Sequence, residues 1–268
     1  MHISIFSIIF MSLSAILSIG TPVVLFIVCH KKYKAPALPM IIGAVAFIIF
    51  ALVLEQFIHS IVLNKFQLRE KPLVYILYGI FMAGIFEETA RFISFKILKR
   101  KYNGIGTGLS YGIGHGGIEA ILLAGIAMIY SIIYSIMINS GKIDIITGNL
   151  QGDKLDQINI QINTLVTTAP YLFLISGIER LCAITIQIAL SIIVYHAVFT
   201  RHKVWFFPLA ILLHAIIDTP AAAMQVGVIN NVVIVEGIIG ISSILLLLFA
   251  VYIHRICLKS AIRDVQGF

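Results

Sequence analysis

The stretch LVYILYGIFMAGIFEETARFISFKIL, residues 73–98, decides the fold class. A helix crosses the hydrocarbon core of a bilayer with about 20 predominantly apolar residues, and this run is long enough to do so. Acids and a base nevertheless sit inside it, at Glu87, Glu88 and Arg91. An ionised side chain near mid-membrane costs roughly 2.5–3.5 kcal/mol on insertion scales. A span that carries such a group at several positions has a reason to do so.

Outward from that span the chain keeps the same character. Of its 268 residues, 60% are hydrophobic and 12% charged, against about 25% charged in soluble domains, and the mean hydropathy is +1.04. A water-soluble globule of this size could not bury so much apolar surface. The composition therefore excludes a soluble enzyme, a disordered tail and a nucleic-acid-binding module, and it makes the lipid bilayer the first partner. Seven apolar runs are readable, at roughly 3–29, 38–63, 73–98, 105–138, 171–199, 206–225 and 231–254. They predict an all-α polytopic transmembrane helix bundle, with 1–268 as a single membrane-embedded domain. Gly20-Thr21-Pro22 interrupts the first run and predicts a kink. That run lacks the basic n-region of a cleaved signal peptide and counts as a span. Cys29, Cys182 and Cys257 are odd in number and share no metal-ligand spacing, so they read as reduced, buried thiols.

Orientation follows from Lys/Arg asymmetry. Lys31, Lys32, Lys34, Lys96, Lys99, Arg100, Lys101, Arg201, Lys203, Arg255, Lys259 and Arg263 flank one side, twelve in all, against five on the other, Lys65, Arg69, Lys71, Lys142 and Lys154. The richer side is expected to be cytoplasmic, with the N-terminus outside and the C-terminus inside. The net charge of +7 is then mostly a topology signal. The long connection 140–170 falls outside. It is polar, its apolar residues alternate through Ile158-Asn159-Ile160-Gln161-Ile162, and it is expected to form a short strand or a surface helix.

Glu55, Glu87, Glu88, Arg91, Glu119, Glu179, Arg180, Asp218 and Glu236 all fall within predicted spans, with His115, His196 and His214. Depth narrows the set. Counted from the cytoplasmic ends at about 1.5 Å per residue, Glu87-Glu88, His115, Glu119, His214 and Asp218 occupy one band of the bilayer. His115/Glu119 and His214/Asp218 are i,i+4 pairs, each on one helix face. Gly112, Gly114, Gly116 and Gly117 surround His115, and Pro220 with Ala221–Ala223 follows Asp218. Small residues let helices approach closely and leave room for a substrate backbone. A competing reading is an ion-pair network that only glues helices, Glu87 or Glu88 with Arg91 and Glu179 with Arg180. Glu55 and Glu236, nearer the outer boundary, read as structural, and His196 as interfacial packing.

A carboxylate beside an imidazole in a dry, glycine-lined site activates water, the carboxylate as base and the imidazole orienting the water or holding an oxyanion. Inside a bilayer this suggests hydrolysis of a membrane-embedded bond. Glu87-Glu88-Thr89-Ala90-Arg91 resembles the EExxR/K motif of PrsW-like proteases and the EExxxR of CAAX-processing proteases. Tyr111-Gly-Ile-Gly-His115 resembles the second CAAX motif, and His214-Ala-Ile-Ile-Asp218 resembles the third, HxxxN there and HxxxD in PrsW. Overall the chain most resembles the YhfC family of bacterial glutamic-type intramembrane proteases, over about 87–218, within a catalytic core at 73–225. The resemblance implies a multi-pass protein of the bacterial cytoplasmic membrane that cleaves a membrane-anchored protein or peptide. It implies Glu87 as general base, His115 holding the water, His214 and Asp218 on the oxyanion side, and Glu88 and Arg91 in support. One residue fewer precedes Arg91 than in the CAAX pattern, Asp218 replaces Asn, and Glu119 is added, so Glu119 is a second candidate for the base.

No metal is expected in that reading. Zinc is the nearest competitor, with His115, His214, Glu119 and Asp218 as ligands and Glu87 as base; no HExxH is present. Gly108-Leu109-Ser110-Tyr111-Gly112 matches the nucleophile elbow GxSxG, but that motif needs a strand-turn-helix setting, whereas here it opens a membrane helix. Polar midplane residues also suit a transporter, although no internal repeat is visible. A non-catalytic membrane protein is the remaining option.

Overall fold

The computed structural model describes residues 2–266 and, among them, contains helices and no strand. Seven helices are long and apolar enough to cross a membrane, and they coincide with the seven runs read from sequence. They are α1 (Ile5–Tyr33), α2 (Ala37–Phe66), α3 (Pro72–Leu98), α4 (Ile105–Asn139), α7 (Pro170–Phe199), α8 (Phe206–Gln225) and α9 (Val232–Ser260). Two short helices lie between α4 and α7: α5 (Asp144–Thr147) and α6 (Asp153–Thr167). α1 is assigned as one helix that runs through Pro22. The side chains of Arg69 and Arg263, both counted for orientation, lie outside the described residues.

The chain divides into two compact units, Met1–Thr21 with Ala120–Leu181, and Pro22–Glu119 with Cys182–Phe268. In the first unit a small core forms from Ile3, Met11, Ile138, Ile162, Leu165 and Phe173. Asn139 clamps the start of the chain: its Oδ1 accepts from Ile3 N at 2.7 Å and its Nδ2 donates to Ile3 O at 2.9 Å. The connection expected as strand or surface helix is the helix α6. The alternating isoleucines fail to make a strand because Ile162 and Leu165 are buried on one helical face while Ile160 stays 66% exposed. Asp153 and Asp156 lie in its first turn, where carboxylates favour helix formation.

The second unit is built around the C-terminal half of α7. Ile184, Ala189, Leu190, Ile193 and Val194 are essentially inaccessible, as a helix apolar on all sides should be. α4 lies against this stretch through its glycines. A Cβ at Gly112 would stand 2.6 Å from Ile188 Cα, and one at Gly116 would stand 2.9 Å from Gln187 Cβ. On another face a Cβ at Gly114 would stand 1.9 Å from the Met40 carbonyl of α2. The glycine-rich run is therefore what lets α2 and α7 close on the helix that carries His115. α2 and α4 each contain a π-helical stretch, Ile48–Glu55 and Ile121–Gly125.

Candidate functional site

The site lies within the second unit and is assembled by α3, α4, α7 and α8. On α3, Glu87 and Glu88 are neighbours about 100° apart around the helix, so they face different partners. Glu87 points to α4 and α7: its Oε2 is 2.9 Å from His115 Nε2 and accepts from Gln187 Nε2 at 2.9 Å. Glu88 points to α8: its Oε1 is 2.8 Å from His214 Nδ1 and also accepts from Arg91 Nη1, one helical turn away. Gly84, one turn before the pair, makes that meeting possible. A Cβ there would come within 2.9 Å of the Ile211 carbonyl and 3.6 Å of His214 Cβ.

Beyond these contacts, His214 Nε2 stands 3.3 Å from Asp218 Oδ2 and 3.9 Å from Glu87 Oε2. Glu88, Arg91 and His115 are fully buried, whereas the Asp218 side chain is 38% exposed. His115 is held edge-on against the Phe47 ring at 5.1 Å. All seven residues singled out from sequence, Glu87, Glu88, Arg91, His115, Glu119, His214 and Asp218, thus belong to one connected cluster, with Glu119 joined through Gln187.

Gln187 is the residue that sequence reasoning missed. Its Nε2 donates to Glu87 Oε2 at 2.9 Å and to Glu119 Oε2 at 3.0 Å, while its Oε1 accepts from Arg91 Nη2. A lone amide in the run ITIQIALS was the available signal, but an amide has no formal charge and drew no attention. The ion pairs foreseen are present, each within a single helix. Arg91 pairs with Glu88, and Glu179 with Arg180. Ser110 is not placed as a nucleophile: its Oγ donates to the Pro36 carbonyl.

A metal fits one corner of this cluster. One ligand atom each from Glu87, His115 and Glu119 lie within 4.8 Å of one another. The donor set, two carboxylates and an imidazole, suits zinc, whose catalytic sites take three protein ligands and leave a position open. Gln187 holds both carboxylates by hydrogen bonds, the kind of outer support that metal ligands need, and His115 Nδ1 is buried without a partner. This set differs from the one expected for zinc. His115 and Glu119 are common to both, Glu87 joins them, and His214 and Asp218 lie outside the group, His214 contacting Glu88 and Asp218.

Comparison with known proteins agrees with the motifs. The profile of the YhfC intramembrane metalloprotease family matches residues 14–239. A protein of Bacillus subtilis (strain 168), described as "Uncharacterized membrane protein YhfC", is 36% identical over 255 residues, 93% of this chain and 97% of its own. No solved structure matches. The chain belongs to the YhfC intramembrane metalloprotease family and is a multi-pass integral membrane protein.

Proposed function

From that membership, we propose that the chain is a zinc-dependent intramembrane endopeptidase that hydrolyses a peptide bond of a membrane-anchored protein or peptide. The observation that carries the reading is the convergence of Glu87, His115 and Glu119 from two helices, ligand atoms within 4.8 Å, under one amide donor. Those three residues would hold the metal. When bound, zinc supplies Lewis-acid polarisation and a more acidic water.

The remaining residues do the proton work. Hydrolysis adds hydroxide to the carbonyl carbon and a proton to the leaving amine. Glu88 takes the Nδ1 proton of His214 into a 2.8 Å hydrogen bond, which fixes the tautomer and leaves Nε2 facing Asp218 and Glu87. His214 Nε2 is therefore the atom that gives or takes a proton at the reacting bond. Asp218, the half-exposed carboxylate beside it, lines the open side. Arg91 neutralises Glu88, so that Glu88 orients the imidazole without adding a further free charge.

The test is purification in detergent, metal analysis and cleavage of peptides carrying transmembrane segments. Near-stoichiometric zinc is expected, lost in His115→Ala and Glu119→Gln, with activity abolished by a strong chelator and restored by zinc. His214→Ala should keep the zinc and lose turnover by about 10²–10⁴-fold. One observation favours a second, metal-free glutamic reading. The direct 2.9 Å contact of Glu87 with His115 is also the pairing a water-activating carboxylate would use. Chelator-insensitive cleavage, lost in Glu87→Gln and carried by protein with little zinc, would select it. Substrate flux in liposomes without cleavage would overturn both.

A further inference from the structure

The outer half of α2 carries polar residues that the site does not use. Gln56, Ser60 and Asn64 follow each other at i,i+4 spacing, with His59 on the adjoining face. Together with Gln67 and Glu70 they line a cavity of about 420 Å³. Phe57 and Ile61, about 100° further round the helix, are 62% and 47% exposed, as lipid-facing side chains should be. Polar residues inside a membrane span line water or meet a partner. This volume is enough for on the order of ten waters at about 30 Å³ each.

The inner end of the cavity is ionisable. His59 lines it, and its Nε2 is 3.1 Å from Glu55 Oε1 while its Nδ1 is 2.9 Å from the Tyr78 hydroxyl. Glu55 is buried, 6% exposed. The same helix touches the site below, where Phe47 packs on His115. Between Phe47 and Glu55 the backbone is π-helical, a distortion that recurs at functional positions. From the contact on His115 to the cavity wall is therefore about a dozen residues of one helix, less than ~18 Å. The cavity is at the lysine-poor end of α2 and α3, the end expected to face outward.

We propose that this cavity is the inlet through which water reaches the hydrolytic site, with the hydrogen-bonded pair Glu55–His59 as its inner step. A hydrolase closed off by lipid needs one water for every bond cut, and the fully buried His115 and Glu88 have no supply from the hydrocarbon. The inference rests on the hydrolytic reading above.

The test uses single cysteines in a full-length chain carrying Cys29→Ser, Cys182→Ser and Cys257→Ala. Gln56→Cys, Ser60→Cys and Asn64→Cys are compared with the lipid-facing Phe57→Cys and Ile61→Cys in sealed vesicles. The probe is a cationic, membrane-impermeant methanethiosulfonate. The cavity positions should react about tenfold faster or more than the lipid-facing ones, as exposed thiols do, and only from the extracytoplasmic side. Equal, slow rates at both sets overturn the inlet. Modification of Ser60→Cys should then lower turnover severalfold with KM unchanged, and a reducing agent should restore it. Undiminished turnover after complete modification also overturns it. Labelling needs no peptidase activity. Failure of the unmodified protein to cleave any peptide thus counts against the hydrolytic reading, and the labelling rates count separately for or against the water-filled cavity.

Discussion

Replacing Gln187 tests whether the site is held together by one amide. Its Nε2 donates to Glu87 at 2.9 Å and to Glu119 at 3.0 Å. Hydrogen bonds to charged groups contribute about 1.5–3 kcal/mol each in water-soluble proteins, but intramembrane hydrogen bonds average only about 0.6 kcal/mol. Loss of both in Gln187→Leu therefore removes about 1–6 kcal/mol of ligand orientation, a drop of roughly 10–10⁴-fold in metal affinity or kcat/KM at 1.4 kcal/mol per decade. The range brackets the 10–100-fold typical of lost outer support at a metal site. Gln187→Glu separates that role from packing. It keeps the side-chain volume and an oxygen for Arg91, yet it turns a donor to two carboxylates into a third acceptor. Both variants should lose zinc and activity, and Gln187→Glu, which sets a third carboxylate beside Glu87 and Glu119, should melt below the wild type in detergent. Wild-type zinc content and kcat/KM in both variants would refute the reasoning.

Gly114→Ala should be destabilised by about 1–3 kcal/mol or more, the range for overpacking, because its Cβ would stand 1.9 Å from the Met40 carbonyl. Gly79→Ala, which meets nothing within 4 Å, should be neutral or slightly stabilising in the same thermal melts. Ser110→Ala, which removes only the hydrogen bond to the Pro36 carbonyl, should cost about 0.6 kcal/mol and leave cleavage intact; loss of activity there would revive the serine reading. Labelling of intact cells should modify Asp153→Cys and spare Lys101→Cys, and the reverse would invert the orientation drawn from the Lys/Arg asymmetry. Glu119→Gln should fail to gain the thermal stability that added zinc gives the wild type.

The spans were legible because bilayer thickness imposes a length that composition cannot hide. Among the described residues, the seven runs fall on the seven helices long and apolar enough to span, within four residues at every end but the last, where the helix runs on past 254 to Ser260 and beyond. The polar cluster was legible for a related reason: each charge inside a span stands out against its cost, and i,i+4 spacing says which charges share a face. What sequence could not supply was rotation between helices. Nothing in the run 73–98 tells that Glu88, and not Glu87, takes His214 Nδ1; that follows from how α8 seats on Gly84. Gln187 was invisible because an amide carries no formal charge. The alternation at 158–162 favoured a strand as readily as a helix until burial of Ile162 and Leu165 chose the helix.

The charge inventory of the site gives the reason for expecting a cation and for the behaviour of Glu119→Gln. Glu87, Glu88, Glu119 and Asp218 bring four carboxylates to one place, and Arg91 pairs with Glu88. The carboxylates of Glu87 and Glu119 keep oxygens no more than 4.8 Å apart. At an effective dielectric constant near 20, two full charges at that distance repel by about 3.5 kcal/mol. A shared amide proton donor softens that repulsion without cancelling it. A divalent cation between the two carboxylates turns the repulsion into attraction, and the imidazole of His115 completes a third ligand without adding negative charge. Glu119→Gln takes away one of the two opposed charges and keeps an oxygen that still accepts from Gln187. The variant should therefore lose the attraction for zinc while keeping its contact with Gln187, so that zinc raises the melting temperature of the wild type alone. If zinc stabilises Glu119→Gln as much as the wild type, the pair of carboxylates is not what the cation binds.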